Sequence, residues 1–136
     1  MEVKNLKSYF EKVATDLEGN YTDFSDDTII ITLPVGDGRF HSVKGIIDEK
    51  KHGHMVVFTA SVCRLHEYPN IDYKKLLEHN YDYGYAKITI TDEDYLEVMA
   101  AIKYDLCTPE EMKFMIEEIS HVADVLEKEI TGQDNF

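Results

Sequence analysis

The stretch NIDYKKLLEHNYDYGYAKITITDEDYLEVMAAIKY, Asn70 to Tyr104, decides the fold. Its first part predicts a short helix from Ile71 to about Asn80, with Asn70 as N-cap after Pro69 and an apolar face of Tyr73, Leu76 and Leu77. An aromatic link, Tyr81 to Tyr85, contains Gly84 and breaks the helical pattern. Ala86, Ile88 and Ile90 then alternate with Lys87, Thr89 and Thr91, the period of a half-buried strand. Leu96, Val98, Ala100 and Ile102 alternate in the same way. A turn at Asp92-Glu93-Asp94 sets Ile90 opposite Leu96 and Ile88 opposite Val98, which keeps both apolar sets on one face. The unit is a helix followed by a hairpin.

Downstream lies one long amphipathic helix. Thr108 is placed as its N-cap, Pro109 at the first helical position and Glu111 where a capping box needs a carboxylate. Met112, Met115, Ile116, Ile119, Val122, Ala123, Leu126 and Ile130 form a continuous stripe, and Gly132 stops it. Upstream, Val3, Leu6, Phe10, Val13 and Leu17 recur at steps of three and four, predicting a first helix closed by a left-handed cap at Gly19-Asn20. Tyr21 to Asp27 reads as a polar link. Asn20-Tyr21-Thr22 matches a glycosylation sequon, which has no meaning without secretion.

Three strands fill the space between, and their registers check one another. Ile29, Ile31, Leu33 and Val35 share one face of the first, and Val43, Gly45 and Ile47 share one face of the second. A three-residue loop, Gly36-Asp37-Gly38, with Gly38 left-handed, sets Ile31 opposite Val43, Leu33 opposite His41 and Val35 opposite Arg39. In the third strand the apolar set is Val56, Phe58, Ala60 and Val62, and a loop around Lys50 to Gly53 sets Ile47 opposite Val56 and Val43 opposite Ala60. A slip of one residue would turn any of these strands inside out, so their agreement specifies the register. The resulting class is α+β, in the order α-β-β-β-α-β-β-α, with an antiparallel five-stranded sheet covered by the N- and C-terminal helices.

The opposite sheet face carries Ile30, Ile46, Met55, Val57, Tyr85, Tyr95 and Met99 among Thr, Lys and Glu. A contiguous apolar patch there would mark an interface, to be covered by the short middle helix or by a second chain. These seven residues are the candidate protein-binding surface.

Length and charge bound the rest. At 136 residues the chain is expected to be a single domain, 1–136, able to bury somewhat under ~70% of its unfolded surface. The opening MEVKNLKSYFEKV has no apolar region of signal type, and no apolar run approaches the ~20 residues of a membrane helix. A cytoplasmic protein is expected. Twenty-seven acidic against fourteen basic residues give a net charge of −13, which repels nucleic acid and anionic membranes and attracts basic partners.

No catalytic constellation emerges. His52-Gly53-His54 falls at a hairpin tip where i and i+2 side chains diverge, and neither His41 nor His66 completes a ligand spacing, so no metal is expected. Asp92-Glu93-Asp94 lacks the glycine and terminal glutamate of a calcium loop. Cys63 and Cys107 form no disulfide framework. His66 lies too far along an extended chain to activate Cys63, and Cys107 reads as an inert thiol before the last helix. Phosphate loops, GxSxG elbows and HExxH motifs are absent, so no cofactor is expected and no enzyme. Tyr81 to Tyr85 could stack a ligand, but aromatics linking a helix to a strand serve packing.

Leu76-Leu77, Asn80 three residues on and Gly84 four beyond, followed by an alternating hairpin and a capped helix, resemble the type III secretion chaperone-like superfamily. Within it the resemblance is to the YbjN-type proteins, described as sensory transduction regulators. It implies small acidic subunits, homodimers and no catalytic activity. In the secretion chaperones an extended client wraps the dimer, lays apolar residues into surface patches and sometimes adds a strand. The expectation is a non-enzymatic chaperone-like or regulatory module that binds a protein partner. The competing expectation is an acidic inhibitor or immunity-type protein that masks a basic target.

Overall fold

A computed structural model describes residues 6–17, 19–25, 28–36, 38–48 and 54–132. Val3, Asp37 and the expected loop from Lys50 to Gly53 lie outside them. The elements are α1 (Leu6–Asp16), β1 (Asn20–Ser25), β2 (Thr28–Gly36), β3 (Arg39–Asp48), β4 (Met55–Arg64), α2 (Tyr73–His79), β5 (Lys87–Ile90), β6 (Tyr95–Lys103) and α3 (Pro109–Thr131). All strands join one antiparallel sheet in the order β1-β2-β3-β4-β6-β5. α1 and α3 cover the same face of it, α3 along β4, β3 and β6, and α1 against α3, β2 and β1.

The five expected strands are present, and the sheet has a sixth. β1 occupies the stretch read as a polar link and pairs with β2 from Asn20–Thr32 to Ser25–Thr28, with a bulge after Asp23. Its sequence, Asn-Tyr-Thr-Asp-Phe-Ser, has no apolar alternation, so hydrophobic period could not reveal it. The ladder to β2 makes it a strand.

The apolar parity holds throughout. Ile29, Ile31, Leu33, Val43, Val56, Phe58, Ala60, Ile88, Leu96, Val98 and Ala100 are buried beneath α1 and α3. Ile31 pairs with Val43, Leu33 with His41, Ile47 with Val56, Ile90 with Leu96 and Ile88 with Val98, as the registers require. Two pairs depart. Gly36, not Val35, pairs with Arg39, because β2 carries Val35 as an extra residue in a bulge while Gly38 takes φ 75°. The β3–β4 ladder ends at Lys44–Thr59, one pair short of Val43–Ala60.

Glycines and caps fix the joints. Gly45 lies opposite Phe58, and a Cβ there would sit 3.1 Å from both the Phe58 ring and Ile29 Cδ1. Gly19 is needed for space, not for a left-handed cap. Its Cβ would lie 2.6 Å from Leu33 Cδ2 and 2.7 Å from the Thr32 carbonyl, and Gly38 and Gly132 are the left-handed glycines of the described residues. Thr108 caps α3 by accepting the Glu111 N–H at 3.1 Å, and Gly132, at φ 65°, closes it. In α2 the N-cap is Asp72, whose Oδ1 accepts the Lys75 N–H at 3.1 Å. Asn70 instead belongs to the preceding turn, so the helix begins two residues later than its sequence suggested.

Candidate protein-binding surface

The sheet face away from α1 and α3 is arranged in cross-strand rows. Thr28, Ile46, Val57 and Ala101 form one row, and Ile30, Lys44, Thr59, Met99 and Lys87 the next. Asp48, Met55 and Lys103 form a third on the other side of the first. Directly opposed side chains lie about 5 Å apart at Cβ, so Ile46, Val57 and Ala101 touch, with Met55 and Met99 as diagonal neighbours. All five are half-buried. Ile30 stands at the margin, separated from Met99 by Lys44 and Thr59.

Two of the seven candidates lie outside the patch. Tyr85 is not on this face: its ring packs edge-on against Phe114 of α3, centroids 5.8 Å apart, and its hydroxyl donates to Glu111. The chain reaches β5 only at Lys87, so strand parity does not govern Tyr85. Tyr95 is on the face but at its far end, where Arg64 Nε donates to its hydroxyl at 2.6 Å and the guanidinium lies 5.2 Å from the ring centroid. Nor does α2 cover this face. Tyr73, Leu76 and Leu77 instead line a groove with Ile88, Ile90 and Leu96, at the β5 end of the opposite face.

The patch runs into a cleft of about 350 Å³ that sequence reasoning missed. β3 and β4 separate beyond Lys44–Thr59, while β4 continues beside β6 as far as Arg64. His41 bridges the gap, its Nε2 3.1 Å from the Ser61 carbonyl, and Ser42, Lys44, Thr59, Glu97 and Glu127 line the opening. Burial holds the His41 imidazole below its ordinary pKa against the opposing pull of the Ser61 carbonyl and Asp124. Burial likewise pushes the Glu97 carboxyl up, with Lys44 opposing.

Electrostatically this face departs from the whole chain. It carries Lys44, Arg64, Lys87 and Lys103 together with Asp48 and Glu97, and Asp92 and Glu93 of the β5–β6 turn line it beside Lys44, Tyr95 and Glu97, so charges of both signs surround the patch. On the other side α3 contributes Glu110, Glu111, Glu117, Glu118, Asp124, Glu127 and Glu129, of which Glu127 also reaches the cleft.

The groove beside α2 was also missed. Leu76 is buried, but Leu77 is 69% exposed, with Tyr73 and Ile90 also open to solvent. Adjacent leucines on a helix point about 100° apart, so a seven-residue helix at a sheet margin buries one of them. The Leu76-Leu77 pair was the available signal.

The remaining chemistry is local. His54 stacks on Tyr104 at 3.9 Å between centroids, and its carbonyl accepts the Tyr104 N–H at 2.8 Å. His66 is exposed in a short 3₁₀ turn. Burial pushes the Cys63 thiol up, and Glu127 and Glu67 add to it, which disfavours the thiolate a nucleophile needs. Cys107 is buried. Among the described residues no three His, Cys, Asp or Glu side chains converge on a metal-sized site. No helix among them is long and apolar enough to cross a membrane.

This α+β layout, a long capped C-terminal helix and an N-terminal helix on one face of an antiparallel sheet, is the type III secretion chaperone-like fold. The chain is similar to the ExsC–ExsE complex structure, with a TM-score of 0.66 over 96% of this chain and 97% of that one at 10% identity. It is similar also to the HopA1–SchA chaperone–effector complex, with a TM-score of 0.62 over 93% and 99% of the two chains at 8% identity. Identities this low establish the fold. No family model and no curated protein matches the sequence.

Proposed function

We propose that this chain is a non-enzymatic, chaperone-like or regulatory protein-binding module of YbjN type, a single cytoplasmic domain acting as a homodimer. The observation that carries the reading is the apolar patch of Ile46, Met55, Val57, Met99 and Ala101, which α1, α2 and α3 all leave uncovered. Ile30 and Tyr95 extend it at either side, and the partner lies across it. The similar chaperone–effector structure supports the same class of role.

The second copy docks on the α2–β5 groove. Leu77 lines it with most of its side chain exposed, and Lys74 and Glu78, one helical turn apart and 3.2 Å from each other, offer charges that a two-fold contact would exchange between copies. An acidic inhibitor that masks a basic target is the second reading, and the salt dependence of binding separates it from the first.

Val57→Asp and Met99→Asp test the partner surface. Each places a charge in the patch while leaving the buried face untouched. Tagged parent and variants are compared by pull-down from the native host, with eluate mass by light scattering. Loss of a stoichiometric partner in both variants, with unchanged circular dichroism, is the expected result. Retention of the partner by both removes this face from the function. Binding that instead collapses with added salt would favour the acidic-inhibitor reading, because exposed charges are screened within ~8–10 Å at ordinary ionic strength.

A further inference from the structure

β5 is the outer strand of the sheet on the α2 side. Edge strands present unpaired N–H and C=O groups to any extended chain that comes near. This edge has the composition that invites such pairing: Lys-Ile-Thr-Ile, with Ile90 53% exposed and the apolar groove of Tyr73 and Leu77 alongside. Yet the position in its middle is already occupied. Asn80 Oδ1 accepts the Ile88 N–H at 2.6 Å, and Asn80 Nδ2 donates to the Ile88 carbonyl at 3.2 Å. A carboxamide has the donor and acceptor of a peptide group, so it meets Ile88 as a residue of a neighbouring strand would.

We propose that the Asn80 side chain is an edge guard, which keeps β5 from extending the sheet into a second chain. Ile88 directs its backbone outward to Asn80, so Lys87 and Thr89 direct theirs to Met99 and Glu97 in β6. The two-residue repeat leaves Ile90 as the one further outward position of the strand. Beyond it the chain turns back, the Thr91 N–H donating to the Tyr95 carbonyl at 2.9 Å. One open residue is too short a template for a ladder. The guard is itself anchored, because Lys87 Nζ donates to the Asn80 carbonyl at 3.2 Å and to the Tyr83 carbonyl at 3.3 Å. A chain docking in the groove therefore engages side chains and leaves the sheet at six strands. This inference rests on the Asn80–Ile88 geometry and stands apart from the assignment of the partner surface.

Amide exchange by NMR on the full chain tests it first without any substitution. The Ile88 N–H should exchange at least roughly tenfold more slowly than the Ile90 N–H, although both face outward on the same edge. In Asn80→Ala, Ile88 should approach the Ile90 rate while Val98 in β6 keeps its protection. Asn80→Asp, which loses the donor and sets a carboxylate beside the Ile88 carbonyl, should move in the same direction. Sedimentation over a concentration series should find assemblies larger than the parent's in Asn80→Ala. Adding Ile90→Pro should abolish them without restoring Ile88 protection, since proline removes the Ile90 donor and leaves Ile88 as a single open residue, too short a template for a ladder. Equal exchange at Ile88 and Ile90 in the parent overturns the proposal even if the variants fail to fold. A folded Asn80→Ala with the parent's size distribution at every concentration overturns it too.

Discussion

Glu118 reaches from α3 across to the loop before β5 and accepts three successive backbone N–H groups, from Gly84 at 3.1 Å, Tyr85 at 2.8 Å and Ala86 at 2.6 Å. Burial pushes its carboxyl up, but these three donors and Lys87 outweigh it and hold the group below the ordinary carboxylate range. Glu118→Gln should lower stability near pH 7 by about 1 kcal/mol, a charged hydrogen-bond set discounted for solvent screening. The sign follows from the depressed pKa. The stabilisation is present above the unfolded value of about 4.3 and is lost as pH falls through the lower folded value. Urea titrations of parent and variant should accordingly converge in strong acid, and a gap constant down to acid pH would show that the carboxylate charge is not what the three N–H groups hold.

At the scale of elements, legibility tracked local chemistry. Both ends of α3 were readable because Thr108, Pro109 and Gly132 act on backbone groups within a few residues of themselves. Thr108→Ala should cost about 1 kcal/mol, read as a lowered urea midpoint at unchanged slope. The β5–β6 hairpin was readable for the same reason. Its turn is closed by the Thr91 hydroxyl, which accepts from the Glu93 and Tyr95 N–H groups, and by Asp94 at φ 62°. β1 was hidden because a short edge strand takes its order from the neighbour it pairs with, and the sequence Asn-Tyr-Thr-Asp-Phe-Ser has no apolar alternation. The start of α2 was misplaced because Asn70 and Asp72 are both good caps, and the turn closed by the Ile71 N–H on the Tyr68 carbonyl selects the second.

Across the whole molecule, charge and apolar surface divide by side. The helical side holds the seven carboxylates of α3, the open sheet face holds the apolar patch among charges of both signs, and the α2–β5 groove gives a second apolar site at one margin. Placing self-association in that groove makes Leu77→Glu a separable test. Light scattering should report the monomer mass for Leu77→Glu and the dimer mass for the parent, while Val57→Asp remains dimeric. A dimeric Leu77→Glu would move the second copy to another surface.

The sequence by itself determined which residues of the central strands face the core, how the hairpins register apart from the bulge at Val35 and the early end of the β3–β4 ladder, and where the last helix begins and ends. Each of these follows from a period of two or 3.6 residues, or from a cap acting on its own turn, so neighbouring residues suffice to specify them. The tertiary structure decided what lies between distant segments. It made a strand of residues 20–25, ended the β3–β4 ladder at Lys44–Thr59 and so opened the His41 cleft, and drew Tyr85 onto α3. It also set the Asn80 carboxamide against Ile88 and the Glu118 carboxylate against residues 84–86. These contacts depend on which backbone groups remain unpaired after the sheet has assembled, and that is settled by strands and helices meeting in space.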